Sequence, residues 1–493
     1  MRQSVTILVL LVSTLMSYTQ GAESDVDYAA VFLAGKKVGY AVSSREIKDD
    51  QVVTSDRMHL AITRLGMPLE FDVSESFIES ADGRPIAFRL DQTLSKFKSR
   101  ISGRVNKQGL LEIEKKSIGP VQTSTVPWPQ GALMAEGVRL LQLKKGLTEG
   151  SRYTLQVFDA SVMGAINVNI RIGPKKQVDL LGRWVDLTEV HSTYVVPGAG
   201  KVDSVNYVDD EGNALKSTTP IFGMELEMVS CTRAFAESDL DTTELMDKMI
   251  LVSPVALGNI KDLMAITYQC TPTTKQAILS IPSSANQVAT MHSDRSATVI
   301  VRPQAGQIGQ TIPYAGSDPA ALAALTSNIY LQCDDSRVIE LARAAIGDTT
   351  DALLAARKME SFVSEFIQEK DLSVGYASAL ETIQSQQGDC TEHAVLTAAL
   401  CRAVGIPAQV VIGVVYVDQF GKLSQCFGGH AWTRVLIKDQ WLDLDAAFIG
   451  TERGGYGPGH LALAVGSGEP GDFFALASLL GQFKFDKIVP LRK

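Results

Sequence analysis

Near residue 320 the chain changes its hydrophobic period, and that change limits the architectures open to it more than any other feature. Upstream, from about Asp25 to Phe235, apolar and polar residues alternate in short runs, the signature of half-buried strands. Tyr28 to Leu33 and Lys37 to Ser43 flank Ala34-Gly35-Lys36, a hairpin signal. Asp82-Gly83 and Asp210-Glu211-Gly212-Asn213 mark further turns. One short helical stretch, about Ala132 to Gln142, follows the breaker Val126-Pro127-Trp128-Pro129. Residues 25–235 therefore read as a β-rich, sandwich-like domain, and 236–301 as a second, smaller β-rich unit with strands from Ala265 to Arg302. Residues 302–324, rich in Gly, Pro and Gln and without apolar period, read as a linker.

Beyond the linker the period is helical. Ala355, Met359, Phe362, Val363, Phe366 and Ile367 share one helix face, behind the capping cluster Asp348-Thr349-Thr350-Asp351. Helix and strand then alternate: Thr391 to Val404 helical, Ala408 to Val417 a β-branched run, Ala431 to Ile437 and Trp441 to Leu444 further strands. The spacing predicts a multidomain chain, with β-rich modules followed by an α+β domain over 325–493.

Composition sets the class and the compartment. Of the 493 residues 45% are apolar and 20% charged, values of an ordinary globular chain, which excludes wholesale disorder and collagen-like or coiled-coil architecture. A net charge of −9 with no basic tract offers nothing to nucleic acid. Met1-Arg2-Gln3-Ser4 precedes the apolar run Val5 to Met16 and the small, polar Ser17 to Ala22. That order predicts a signal peptide over 1–22, since a bilayer span needs ~20 apolar residues. No Cys follows the run to carry a lipid. The expectation is an exported protein, periplasmic or extracellular, touching a membrane only if the segment stays uncleaved. Six cysteines are too few for a disulfide scaffold, and the sequence specifies neither their pairing nor an oligomeric state.

The chemistry concentrates at Gln384-Ser-Gln-Gln-Gly388-Asp389-Cys390-Thr391-Glu392-His393-Ala394. Gly388 and Asp389 break and cap, so Cys390 opens a helix that runs to Gly405 and Pro407. Free N–H groups and the helix dipole favour a thiolate at such a position, and the same N–H groups suit an oxyanion. A base is supplied by His430 in Gly428-Gly429-His430-Ala431-Trp432, and the next strand ends Trp441-Leu442-Asp443-Leu444-Asp445. Adjacent antiparallel strands can set that imidazole beside an acid. Parity puts Asp443 and Asp445 on one face and does not choose between them. His393, one turn after Cys390, competes as base; His460, among glycines, reads as a loop residue; His59 and His191 read as structural. A rival set, Cys390, His393, Cys426 and His430, has the spacing of a two-Cys, two-His zinc site but leaves the acids unexplained.

Gly-Asp-Cys-x-Glu-His-Ala, then Leu400 to Ala408, Gly-His-Ala-Trp and Trp-x-x-x-Asp resemble the transglutaminase-like superfamily over about Gln384 to Ala447. The resemblance implies a papain-like α+β domain at the C-terminal end of an exported, bacterial-type protein. It implies Cys390 as nucleophile, His430 as base and Asp445 as the orienting acid. The family's usual Pro after that acid is Ala446 here, so Asp443 stays an alternative. Gln384, six residues before Cys390, is the candidate oxyanion donor. The implied activity is acyl transfer on protein or peptide substrates, hydrolytic as in a cysteine peptidase or amidase, with no cofactor and no metal. The alternatives are a protein-crosslinking transamidase, or a binding or assembly module that retains the triad.

Overall fold

A computed structural model describes residues 24–492, except 65–66, 95–96, 117–120, 162, 197–199, 222–223, 242–249, 274–278, 294, 370–376, 421–422, 467 and 469–482. The expected signal segment, 1–22, lies outside the described residues. The chain divides into two compact units, 1–245 and 246–493. Among the described residues no helix is long and apolar enough to cross a membrane.

In the first unit eight strands follow one another as hairpins: β1 (Ser24–Leu33), β2 (Lys36–Lys48), β3 (Gln51–Arg64), β4 (Met67–Ser80), β5 (Pro85–Leu94), β6 (Phe97–Val105), β7 (Leu110–Lys116) and β8 (Gln122–Pro127). Helix α1 (Ala135–Lys145) leads to six more: β9 (Arg152–Asp159), β10 (Gly164–Leu180), β11 (Arg183–Val196), β12 (Gly200–Val208), β13 (Ala214–Ile221) and β14 (Met224–Cys231). Pairing of β1 with β14 fuses the two meanders into one antiparallel sheet of 14 strands, and α2 (Arg233–Ala236) follows. The expected β-rich unit is therefore a single long sheet, which rolls until Phe88 of β5 meets Phe158 of β9, 5.1 Å between rings. At the β1–β2 turn Ala34 and Gly35 both have positive φ, 51° and 79°, the backbone of a two-residue hairpin.

That sheet carries acids on its buried face. Asp56 and Glu75 are direct cross-strand partners, and Ser43 Oγ donates to Asp56 at 2.6 Å. Burial, with Asp159 and Asp56 nearby, holds the Glu75 carboxyl well above the ordinary range. Glu79 caps α1 by accepting the N–H groups of Glu136 and Gly137 at 2.6 and 3.0 Å. Asp56 and Glu79 bond to a hydroxyl of the sheet itself and to the start of α1, and the interior of this sheet reads as architecture.

The second unit contains two antiparallel sheets and five helices among its described residues. Strands β15 (Leu251–Val252), β19 (Ala408–Phe420), β20 (Leu423–Ile437), β21 (Gln440–Leu444) and β22 (His460–Gly466) make one sheet, in order β15-β20-β19-β22 with β21 also on β20. Strands β16 (Leu263–Pro272), β17 (Gln287–Met291), β18 (Ala297–Val301) and β23 (Phe483–Arg492) make the other, in order β17-β18-β16-β23. Residues 236–301 thus do not stand as a unit of their own: the C-terminal strand β23 returns to pair with β16, and β15 pairs with β20. The segment 302–324 has no regular element before α3 (Pro319–Ala323), as its composition predicts, yet it is tied down rather than free. Tyr314 N–H donates to the Gly405 carbonyl at 2.8 Å, and Gln310 accepts the Ala352 N–H at 2.7 Å.

Helices α4 (Ser336–Ile346), α5 (Ala352–Phe366), α6 (Ala379–Ser385) and α7 (Cys390–Ala403) complete the unit. Asp351 caps α5 through the Leu354 N–H, where the sequence placed the start. Helix α7 is buried at every position from Thr391 to Arg402, because β19 and β20 cover one side and α4, α5 and α6 the other. Small residues such as Ala394, Ala398 and Ala399 allow that enclosure.

Candidate active site

The site is built at the start of α7. Asp389 is the N-cap, and its Oδ1 accepts the Thr391 N–H at 2.8 Å. Glu392 closes a capping box through the Asp389 N–H, 2.8 Å, and also accepts the Ala377 N–H at 2.7 Å. A Cβ on Gly388 would stand 2.3 Å from Glu392 Cβ, so only glycine lets the chain pass this close. Cys390, half-buried, takes the first helical position, where its own N–H has no acceptor within the helix.

Thr433 Oγ1 of β20 donates to the Ala394 carbonyl at 2.9 Å and pins that strand to α7. His430, three residues earlier on β20, is 4% exposed. Opposite it on β19 is Gly413, where a Cβ would meet the Leu461 carbonyl oxygen at 2.0 Å and the Trp432 ring at 2.8 Å. The His430 ring stacks on Phe448, 4.5 Å and 10° between planes, which fixes its tilt. Its Nε2 stands 2.9 Å from Asp445 Oδ2, which leaves Nδ1 for Cys390, whose side chain also favours the charged ring.

Asp445 follows the last residue of β21, and besides His430 three further contacts hold it. Its Oδ1 accepts the Ala447 N–H at 3.0 Å, its backbone N–H donates to Glu360 Oε1 at 2.7 Å, and its Oδ2 receives a second imidazole, His460 Nε2, at 2.9 Å. Burial opposes ionisation of this carboxyl, but the charge of His430 and the bonds from both imidazoles outweigh it and hold Asp445 well below the ordinary range. Burial likewise works against a charged His430, yet Asp445 and Cys390 overcome it and raise the ring to about 10. Burial does prevail at His460, which is held below its ordinary value.

The residues read from the sequence separate cleanly. Cys390, His430 and Asp445 come together. Asp443 goes elsewhere: its Oδ1 accepts Trp432 Nε1–H at 2.8 Å and its Oδ2 accepts Asn286 Nδ2–H at 2.5 Å. Gln384 is exposed near the end of α6. His393 is buried with Nδ1 on the Asp389 carbonyl at 2.6 Å, a helix-start contact. The rival zinc set cannot form, since Cys426 and His430 lie four residues apart on an unbroken strand register, ~13 Å at ~3.3 Å per residue. His460, expected in a loop, instead opens β22 and reaches Asp445. His430, Asp445 and His460 do offer three ligand atoms within 4.8 Å of one another. Their 2.9 Å separations are those of N–H···O bonds, and a cation would have to displace both protons.

A half-buried thiol at a helix start, an imidazole and a buried carboxylate thus lie on helix, strand and strand end in that chain order. Residues 339–446 match the transglutaminase-like superfamily. The transglutaminase-like domain thus lies in the second unit, toward the C-terminus, as the motifs predict. No curated protein matches the chain. Among solved structures, a candidate cysteine protease of Cytophaga hutchinsonii aligns at 17% identity and a TM-score of 0.31, covering 49% of this chain and 86% of that one. A β-barrel-like protein of a domain of unknown function from Brucella abortus aligns at 15% and 0.32, covering 42% and 96%. A candidate protease of Parabacteroides distasonis aligns at 9% and 0.20, covering 75% and 68%. At such scores these likenesses carry no part of the functional argument.

Proposed function

We propose that this protein is a thiol acyl-transfer enzyme that hydrolyses peptide or carboxamide bonds in protein or peptide substrates. The observation that carries the reading is one buried imidazole, His430, set between Cys390 and Asp445 and charged by both. In the first half-reaction the proton of the Cys390–His430 pair already sits on His430 Nδ1, and Cys390 Sγ bonds to the substrate carbonyl carbon. The oxyanion lies against the Cys390 N–H, with the Gln384 amide as the side-chain candidate for a second donor. His430 returns the proton to the leaving nitrogen as the C–N bond breaks, which leaves a thioester on Cys390. In the second half-reaction water, deprotonated by His430, attacks the thioester and frees the acid and the thiol. Asp445 holds the proton on Nε2 and stabilises the imidazolium throughout.

An amine in place of water would make the same site a transamidase, and a site that never acylates would be a binding or assembly module. Incubation with a peptide library, beside an amine donor and a Gln-containing acceptor, tests all three. New peptide termini support hydrolysis, amine incorporation supports transamidation, and neither result leaves the binding module. We also propose export directed by residues 1–22, which N-terminal sequencing of secreted material tests: a start near residues 20–24 supports it, and a start at Met1 or Arg2 refutes cleavage.

A further inference from the structure

We propose that His460 is a positioning residue of this site, which fixes the Asp445 carboxylate for His430 from the side opposite β20. The inference rests on the thiol reading above.

The geometry is that of a shared acceptor. Asp445 Oδ2 stands 2.9 Å from His430 Nε2 and 2.9 Å from His460 Nε2. Since Asp445 is held ionised, both nitrogens that face it carry hydrogen. His460 Nδ1 lies against the backbone of Gly457, 3.2 Å from the amide nitrogen and 3.0 Å from the carbonyl oxygen. The ring is 2% exposed and clamped by Tyr456 at 4.7 Å and by the edge of Trp432 at 5.2 Å. His430 and His460 arrive on different strands, because β20 and β22 flank β19 on its two sides and place His430 opposite Gly413 and His460 opposite Val415. With Ala447 N–H on Oδ1, the carboxylate has donors on both oxygens and cannot turn about its own axis without losing one. The titratable groups whose rings or oxygens face His460 among the described residues are Asp445, His430 and Tyr456. A leucine would fill the same apolar clamp, so the buried imidazole is explained by what its N–H holds.

The test is labelling of Cys390 by limiting iodoacetamide in the full chain, read by peptide mass spectrometry from about pH 5 to about pH 10. His460→Leu removes the donor and keeps the bulk. It should cut labelling near pH 6 by on the order of tenfold, the scale on which outer partners of a reactive group act, and leave labelling near pH 9.5 unchanged. His460→Gln, whose amide N–H reaches about where Nε2–H stands, should restore most of that loss. A His460→Leu profile that coincides with the parent's, or one lowered equally at every pH and not rescued by Gln, overturns the proposal. If the Leu variant does not fold, His460→Gln and His460→Asn decide: a parent-like Gln profile with a displaced Asn profile supports positioning, and two parent-like profiles refute it. Failure of the thiol reading itself looks different, because parental Cys390 would then react near pH 6 no faster than Cys231.

Discussion

Replacing Asp445 by Asn keeps the side chain's shape and removes its charge. An amide in that place offers one acceptor oxygen where the carboxylate uses two: Oδ2 for both imidazoles and Oδ1 for the Ala447 N–H. If the oxygen faces the imidazoles, the NH2 opposes a backbone donor; if it faces Ala447, the NH2 opposes two ring N–H groups. The larger effect is electrostatic. With charge centres ~4 Å apart, the attraction between Asp445 and a charged His430 is about 4 kcal/mol at an effective dielectric of ~20. The rise of His430 from 6.5 to about 10 corresponds to roughly 5 kcal/mol, shared with Cys390, so the two routes agree in scale. At ~1.4 kcal/mol per tenfold, Asp445→Asn should lower kcat/KM for any acylating substrate by about a thousandfold. Without a known substrate, Cys390 alkylation by iodoacetamide reports the same change. The variant should fall by at least about tenfold near pH 6, toward the rate of His430→Ala, and converge with the parent near pH 9.5. The other five thiols, all raised by burial, serve as internal references. Superimposable profiles for Asp445→Asn and the parent would refute the electrostatic reasoning.

Asp443→Asn is the matched control: it disturbs the buried bonds from Trp432 and Asn286, so it should cost about 1–3 kcal/mol in denaturant unfolding while the Cys390 profile stays in place. Stability should also depend on pH in a fixed sense. His430, raised in the folded chain, contributes fully below about 6.5 and loses that contribution as pH rises toward about 10, whereas Asp445, depressed, contributes above its ordinary 3.8 and loses it as pH falls below. Urea midpoints should therefore be highest between those limits, and His430→Gln should flatten the alkaline side. Gln384→Ala should reduce kcat about a hundredfold at constant KM if that amide holds the oxyanion; a loss under about threefold assigns the oxyanion to backbone N–H groups alone.

The features that were legible in the sequence are those fixed within a few residues. Gly388 and Asp389 are local capping chemistry, so the start of α7 and the place of Cys390 on it could be read directly, and the structure adds Glu392 to the cap. The choice between Asp443 and Asp445 could not, because alternation treats them alike. It turns on where β21 stops: Leu444 is its last residue, and Asp445 begins the turn that aims its carboxylate at His430. His460 gave no signal among its glycines, since its role depends on β22 pairing with β19. Nor did any local pattern announce that β23, some 200 residues on, would complete the sheet of β16 to β18 and absorb the second β unit into the C-terminal unit of the chain.

The central claim is that Cys390 forms a thioester, and direct trapping of that intermediate tests it best. Brief reaction with 4-nitrophenyl acetate, acid quench and intact-mass analysis should reveal one acetyl group, mapped to the Cys390 peptide and released by hydroxylamine. The group should be absent from Cys390→Ser and strongly reduced in His430→Ala. A Cys390 that alkylates readily near pH 6 but never acquires an acyl group, from this ester or from a peptide library, would contradict the account and leave a binding module that has kept the geometry of an enzyme.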